Sequence, residues 1–151
     1  MTRAWAWATL VAGTIDIIYA ALLTAINGRD PAGMLRFVAS GPYPPATEMG
    51  LAGSILGLIV HFTLMAIMAA AFIVAARNWP RLLTDPISAG IAYGLVTYVV
   101  MNWIVVPLRF DVPLPPKAIS VVSQLFAHIV LVGIPIALIV AKMLRPRAIV
   151  S

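Results

Sequence analysis

Three ionisable side chains lie in the middle of long apolar stretches of this sequence. Asp16, His61 and His128 are each ten residues from one end of their own apolar segment. A titratable group inside a bilayer costs energy, so residues of this kind usually mark a functional site. Imidazole titrates near neutral pH, and a neighbouring carboxylate can share the same proton. The three residues therefore suit proton transfer or the handling of a small cation.

Two other chemistries use the same residues. His61, His128 and Asp16 form a nitrogen and oxygen ligand set that suits a divalent transition metal. Alternatively, His61 and His128 are axial ligands of a b-type haem, a layout that resembles the dihaem cytochrome b bundles. Asp16 and Tyr98 occupy the depth where a porphyrin needs small residues, which argues against haem. A third interpretation is a structural or partner-stabilising subunit, in which the histidines only tie helices together.

More polar residues are predicted at about the same depth. Ten residues at about 1.5 Å each place the ionisable groups roughly 15 Å below the segment end, near the bilayer midplane. Gln124 lies four residues before His128 and hence on the same helix face. We expect Asp16 and His61 to share a proton, with His128 as a second site. The whole predicted intramembrane polar site is Asp16, His61, Thr97, Tyr98, Asn102, Gln124 and His128.

The composition indicates that lipid is the solvent of this chain. Of 151 residues, 62% are hydrophobic and 10% are charged, against about 25% charged in soluble domains. Four apolar segments are long enough to cross a hydrocarbon core. The sequence predicts one all-α domain over residues 1–151, a four-helix up-down transmembrane bundle. Its predicted helices are 5–26, 51–76, 87–107 and 118–141.

The sequence excludes several classes of function. It has no cysteine, so disulfides, thiolate metal sites and cysteine nucleophiles are ruled out. It has no nucleophile elbow and no phosphate-binding glycine loop, which favours a protein that is not an enzyme. The net charge of +5 comes from residues scattered near the segment ends. These residues suit a lipid bilayer as partner and do not form a nucleic-acid surface.

The positive charges also predict an orientation. Cytoplasmic loops carry the excess of lysine and arginine in membrane proteins. Six such residues lie at the termini and in the second loop: Arg3, Arg77, Arg81, Lys142, Arg145 and Arg147. Four lie in the first and third loops: Arg29, Arg36, Arg109 and Lys117. We therefore expect a multi-pass protein of a bacterial-type inner (plasma) membrane with both termini in the cytoplasm.

The first loop is predicted to contain a short interfacial helix. Asp30 followed by Pro31 is typical of a helix start, and the stretch 31–39 is amphipathic. Arg36 in this helix and Arg109 after the third segment lie at the predicted periplasmic mouth. There they would set its potential or bind lipid head groups.

Prolines predict two irregular regions. Pro113, Pro115 and Pro116 make the third loop stiff and nonhelical. Pro135 lies inside the fourth segment and predicts a kink one turn earlier, near Leu131.

Small residues form a stripe at the start of the second segment. Its members are Gly50, Gly53, Ser54 and Gly57. Stripes of this kind usually pack against another helix in lipid. We expect a conducting assembly to be a homodimer that packs through this stripe, because four helices leave little room for a water-filled path.

The region from His61 to His128 resembles the YagU-like family of small multi-pass inner-membrane proteins, whose function is unknown. The resemblance rests on His61, Pro80, Gly90 with Gly94, Pro107-Leu108, and a small residue, Ala127, before His128. It implies a multi-pass inner-membrane protein and supplies no reaction. Asp16 lies outside the matched region, so its role depends on the physical argument alone.

Overall fold

The computed structural model describes residues 1–112 and 114–145, so Pro113 and Arg147 lie outside the described residues. All regular structure in the described part is helical. A short 3-10 helix, Pro44–Glu48, precedes α3. The helices are α1 (Thr2–Ile26), α2 (Pro31–Ser40), α3 (Gly50–Asn78), α4 (Arg81–Thr84), α5 (Pro86–Phe110) and α6 (Ala118–Leu144).

Four of these helices, α1, α3, α5 and α6, are long and apolar enough to cross a membrane. They coincide with the four predicted segments, so the prediction of an all-helical protein with four apolar spans is confirmed. Each helix continues a few residues past its apolar segment. In α3 the helix runs to Asn78 and stops shortly before Pro80, because the residues that precede a proline disfavour helical geometry.

Aspartate side chains begin two of the helices, as the sequence indicates. The Asp30 carboxylate accepts hydrogen bonds from the backbone N–H groups of Ala32 (2.9 Å) and Gly33 (2.8 Å) at the start of α2. These bonds, that from Ala32 foremost, hold the pKa of Asp30 below its ordinary value. Asp85 caps α5 in the same way by accepting a hydrogen bond from the backbone N–H of Ser88. Hydrogen bonds from Ser88 lower the pKa of Asp85 as well. Both caps satisfy donors that a helix start leaves unpaired.

Two of the spanning helices widen into π-helical turns. These segments are Val100–Val105 in α5 and Ala127–Gly133 in α6. Each ends two residues before a proline, Pro107 or Pro135. Proline lacks an N–H and its ring crowds the carbonyl one turn earlier, and an i→i+5 turn relieves that conflict. Leu131, near which the sequence predicts a kink, lies within the second of these π-helical segments.

The contacts between helices connect all four spanning helices. Helix α1 packs against α3 and α6, α5 packs against α6, and α2 lies on α3. The main apolar core lies in the half of the molecule nearer α4. It consists of Ala8 and Ala12 of α1, Met65, Ala69, Phe72, Ile73 and Ala76 of α3, Ala89 of α5, and Val132, Ile136, Ala137 and Val140 of α6. Small alanines on α1 and α3 let these helices approach closely.

An arginine joins a spanning helix to a short helix at each end of the molecule. The Arg109 guanidinium, at the end of α5, donates to the backbone carbonyls of Gly41 and Ser40 (2.8 Å to Ser40), where α2 ends. Arg145, after α6, donates to the carbonyls of Leu83 and Thr84 (2.7 Å to Thr84), where α4 ends. Both arginines therefore satisfy carbonyls that a helix end leaves free, where a positive charge is also favourable.

Candidate intramembrane polar site

Asp16 lies close enough to both His61 and His128 to interact with them electrostatically. The Tyr98 ring lies edge-on to the His128 ring, with centroids 6.0 Å apart. One polar side chain from each spanning helix thus reaches a common region. The hydrogen bonds of these side chains, described next, differ from one residue to another.

His61 bonds to the backbone of a neighbouring helix. Its ring nitrogen Nε2 lies 2.9 Å from the Gly13 carbonyl oxygen of α1, and because a carbonyl can only accept, Nε2 must carry the proton and donate it. The ring is buried, with 7% of the residue exposed, and lies edge-on to Phe62. His61 therefore links α3 to α1, and its other ring nitrogen, Nδ1, makes no hydrogen bond in the described chain.

His128 is bonded within its own helix. Its Nδ1–H donates to the Gln124 carbonyl oxygen at 2.9 Å, which also accepts from the backbone N–H of Ala127. In the neutral ring this bond fixes the tautomer and leaves a lone pair on Nε2 of His128. His128 also lies in the π-helical segment of α6, and π turns in long helices are frequent at functional sites.

Asp16 is half-buried and has no hydrogen bond or ion pair within residues 1–112 and 114–145. The expected proton-sharing pair of Asp16 and His61 is therefore not present as a hydrogen bond, since His61 Nε2 is taken by Gly13. Each ring leaves one nitrogen without a hydrogen bond in the described chain, Nδ1 of His61 and Nε2 of His128, so either imidazole could exchange a proton with Asp16.

The other predicted polar residues bond mainly within their own helix. Thr97 donates to the Gly94 carbonyl at 3.0 Å, and the Asn102 amide donates to the Tyr98 carbonyl at 3.3 Å. The buried Tyr98 hydroxyl accepts from Trp103 Nε1 at 3.2 Å. Thr97 and Asn102 thus make no bond to another helix in the described chain, whereas Tyr98 borders the ring of His128.

Sequence reasoning missed several contacts around this region. Tyr19 stacks at a tilt on Phe126, with centroids 5.4 Å apart, and so joins α1 to α6 beside Asp16 and His128. Its position three residues after Asp16 was the available signal, because such residues share a helix face. The carbonyl of Gly13 carries no signal in the sequence.

The two arginines of the predicted mouth have partners within the chain. Arg36 forms an ion pair with Asp30 at 3.0 Å, and Arg109 holds the end of α2 as described above. Their expected binding of lipid head groups stays a prediction. Arg36 is about three-quarters buried as a side chain, so its guanidinium is less available for lipid than a free surface arginine.

The glycine stripe of α3 is covered by the chain itself. A Cβ added at Gly57 would collide with the Leu35 carbonyl of α2, and one at Gly53 would collide with the Ala46 carbonyl. The Ser54 hydroxyl donates to the Ala32 carbonyl of α2 at 3.1 Å. Only Gly50, at the helix start with φ +54°, faces open space. The stripe is a packing face as expected, but its partner is α2, so a homodimer would need another surface.

The metal and haem interpretations gain no support from this geometry. In the residues that the structure describes, no group of three or more histidine, cysteine, aspartate or glutamate side chains is placed to hold a metal ion. A haem would need Nε2 of His61, which binds Gly13. It would also need space at Gly94, where an added Cβ would lie 2.5 Å from the His128 carbonyl oxygen. Both interpretations stay predictions.

No family model, curated protein or solved structure matches this chain. The resemblance to the YagU-like family therefore stays an expectation from the sequence.

Proposed function

We propose that this chain is a polytopic inner-membrane protein that binds and passes protons or a small cation at Asp16 and His128. In this proposal the four long helices form an up-down bundle with α2 at the periplasmic interface and both termini in the cytoplasm. The positive charges near the termini and α4 favour that orientation. The contact of Arg145 with the end of α4 also supports one common end for these segments.

One observation carries the proposal: within the residues that the structure describes, the Asp16 carboxyl has no hydrogen-bonding partner, yet it lies within electrostatic range of His61 and of His128, whose Nε2 makes no hydrogen bond there. A carboxyl group in apolar surroundings must either keep its proton or gain a cation beside it. His128 accepts that proton through Nε2, so the two groups exchange one proton between α1 and α6. His61 then acts as a positioning residue, since its bond to Gly13 holds α1 against α3.

The decisive experiment is proton uptake into proteoliposomes that enclose a pH-sensitive dye, driven by a potassium diffusion potential. We expect wild-type protein to take up protons and Asp16→Asn to lose the uptake, because an amide cannot be deprotonated. Asp111→Asn is the matched control, since Asp111 is exposed and has φ +49°, which asparagine tolerates. Unchanged uptake in Asp16→Asn, with the fold intact by circular dichroism, would reject the proposal.

A structural, partner-stabilising subunit is the second candidate. It is favoured by side-chain bonds between spanning helices: Trp5 Nε1 donates to the Ala66 carbonyl (2.8 Å) and the Tyr93 hydroxyl to the Met68 carbonyl (2.7 Å). This candidate predicts no proton uptake in wild-type vesicles and a lower melting temperature in His61→Leu. The same vesicle assay therefore separates the two candidates.

A further inference from the structure

A groove runs between α1 and α3 on the outer side of the molecule. Its volume is about 490 Å³, within the range of roughly 300–1,000 Å³ that is typical of small-molecule sites. No charged side chain of the described chain lines it. Because both helices are long and apolar enough to cross a membrane, the groove suits an uncharged occupant that enters from hydrocarbon. Its lining includes Trp5 and Thr9 of α1 and Leu58, Phe62, Thr63 and Ala66 of α3.

The hydroxyl of Thr9 lacks a hydrogen-bonding partner. Among the described residues, Thr9 Oγ1 is the one buried side-chain oxygen or nitrogen atom without one, and Thr9 is only 8% exposed. Three other threonines of the spanning helices, Thr24, Thr63 and Thr97, each donate to a carbonyl of their own helix at 2.7 to 3.0 Å. Buried polar groups of native proteins nearly always have a partner, since an unpaired one costs free energy. Thr9 therefore points to a missing group at this groove.

A lone water molecule does not supply that group. An ordered buried water makes about three hydrogen bonds, whereas Trp5 Nε1 already donates to the Ala66 carbonyl at 2.8 Å and the Thr63 hydroxyl to the Ile59 carbonyl. Thr9 also lies one helical turn, about 6 Å, further into the apolar segment than Trp5. The missing partner is therefore an oxygen that an apolar body carries to this depth.

Two aromatic side chains of the groove are held in place by the fold. The bond to the Ala66 carbonyl fixes the indole of Trp5 against α3. Phe62 packs so closely on α1 that a Cβ added at Gly13 would lie 2.7 Å from its Cε1 atom. Aromatic rings pack favourably on one another in offset or edge-to-face arrangements. The walls therefore favour a flat ring over a flexible acyl chain.

A carbonyl oxygen suits Thr9 better than a hydroxyl group. A carbonyl only accepts, so a single bond pairs the proton of Thr9 with the oxygen of the ligand. A ligand hydroxyl would bring a second proton that needs an acceptor of its own.

We propose that the groove between α1 and α3 binds an uncharged lipophile with a carbonyl oxygen on a flat ring, such as a quinone, and that the Thr9 hydroxyl donates to this oxygen. The binding is noncovalent and includes no electron transfer. It does not rest on the proposed function, because it involves neither Asp16 nor His128.

The test is equilibrium dialysis of radiolabelled 2,3-dimethyl-1,4-naphthoquinone against the full chain in detergent micelles, with uptake by protein-free micelles subtracted. We expect saturable binding to one site. The competitor 2,3-dimethylnaphthalene has the same shape without the oxygens and should bind about three- to tenfold more weakly, because it cannot accept the hydrogen bond. Binding that does not saturate, or equal affinity for the two compounds, overturns the proposal.

Substitutions of two threonines test the hydrogen bond itself. Thr9→Val keeps the shape and removes the hydroxyl, so it should bind the naphthoquinone about three- to tenfold more weakly. Thr63→Val is the matched control in the same groove and should bind like wild type, since the Thr63 hydroxyl already has a partner. Without ligand, Thr9→Val should not lower the melting temperature, because Thr9 Oγ1 has no partner in the described chain. Unchanged affinity in Thr9→Val, or a lower melting temperature, overturns the proposed bond.

The remaining occupants of the groove are a lipid acyl chain and a second copy of this chain. An acyl chain would make the naphthalene as good a competitor as the quinone. Ile59→Trp, at an exposed position that lines the groove, should block binding of the naphthoquinone and leave the mass of the protein in detergent unchanged. A mass that falls from dimer to monomer in Ile59→Trp would show a second copy in the groove and overturn the proposal.

Discussion

The two halves of this molecule are packed by different means. In the half nearer α4, small and apolar residues of all four spanning helices form one core, with Phe72 and Val140 almost fully buried. In the half nearer α2, the start of α3 is covered by the short helix α2, while the stretch from Val100 to Phe126 has no buried residue in its described part. The ionisable residues lie between these halves.

This difference indicates how an unpaired carboxyl group is tolerated. A closed core on one side keeps α1, α3 and α6 at fixed positions, so Asp16 and His128 do not need to bond to each other to hold the fold. The open side leaves a route to this level from outside the molecule. A site of this kind needs a rigid scaffold and a route of entry, and the two halves supply one each.

The largest loss of stability is expected from a substitution at Gly94, where the packed half begins. Gly94→Leu should destabilise the protein by about 3 kcal/mol, because the new Cβ would meet the His128 carbonyl and Ile129 Cα at 2.5 Å. Ala92→Leu, at an exposed position of the same helix, is the matched control and should be nearly neutral. Thermal unfolding in detergent measures both variants. Equal melting temperatures would show that α5 and α6 are not closely packed at this level.

A smaller loss is expected at the contact of α2 with α3. Gly57→Leu should cost about 1–2 kcal/mol, since its side chain would displace the Leu35 backbone but α2 is a short helix outside the four spans and can shift. Ala52→Leu, exposed on α3, serves as the control. Protease cleavage within residues 27–50 should become faster in Gly57→Leu alone. An unchanged cleavage rate would contradict the placement of α2 on this face.

Loss of the bond between His61 and Gly13 should reduce stability less than either glycine substitution. Loss of one polar contact between spanning helices costs about 0.6–1.7 kcal/mol, so His61→Leu should lower stability by that amount. His61→Gln retains an N–H donor and should lose less. Proton uptake should survive in both, which separates a positioning residue from Asp16. If His61→Gln abolishes uptake without loss of stability, His61 belongs to the proton path.

The smallest effect concerns the cap of α2 and depends on pH. The pKa of Asp30 is lowered in the folded protein from the ordinary 3.8, so its contribution is fully present above that value. The contribution is lost as the pH falls through the lower, folded pKa. We therefore expect the melting-temperature difference between wild type and Asp30→Ala to shrink below about pH 4. A difference that is constant down to pH 2 would contradict the capping bonds.

The sequence predicted the positions of the helices better than the contacts between them. Hydropathy and length located the four spanning helices, and the Asp30–Pro31 pair located the start of α2, because both signals are local. The sequence predicts that the glycine stripe is a packing face, and α2 and the 3-10 helix lie against it. Its partner, α2, was missed, since a stripe of small residues shows that something approaches closely without showing what.

The candidate site was predictable in its membership and less so in its bonds. Counting residues from the segment ends brought Asp16, His61 and His128 to one level. The pairing of Asp16 with His61 stays a prediction, and the bond from His61 Nε2 to the Gly13 carbonyl leaves only Nδ1 of the ring for it. Backbone acceptors carry no mark in a sequence. The aromatic pair of Tyr19 and Phe126 depends on how α1 and α6 are rotated, which hydropathy does not determine.

The hydrogen bonds from Arg109 to the end of α2 can form only after most of the chain has been synthesised. Arg109 follows Ser40 by 69 residues. A ribosome that adds 5–20 residues per second therefore synthesises Arg109 roughly 3–14 s after Ser40. During that interval α2 has emerged with its last carbonyls exposed. The nascent first loop therefore depends on water, lipid or the insertion machinery until the third span arrives.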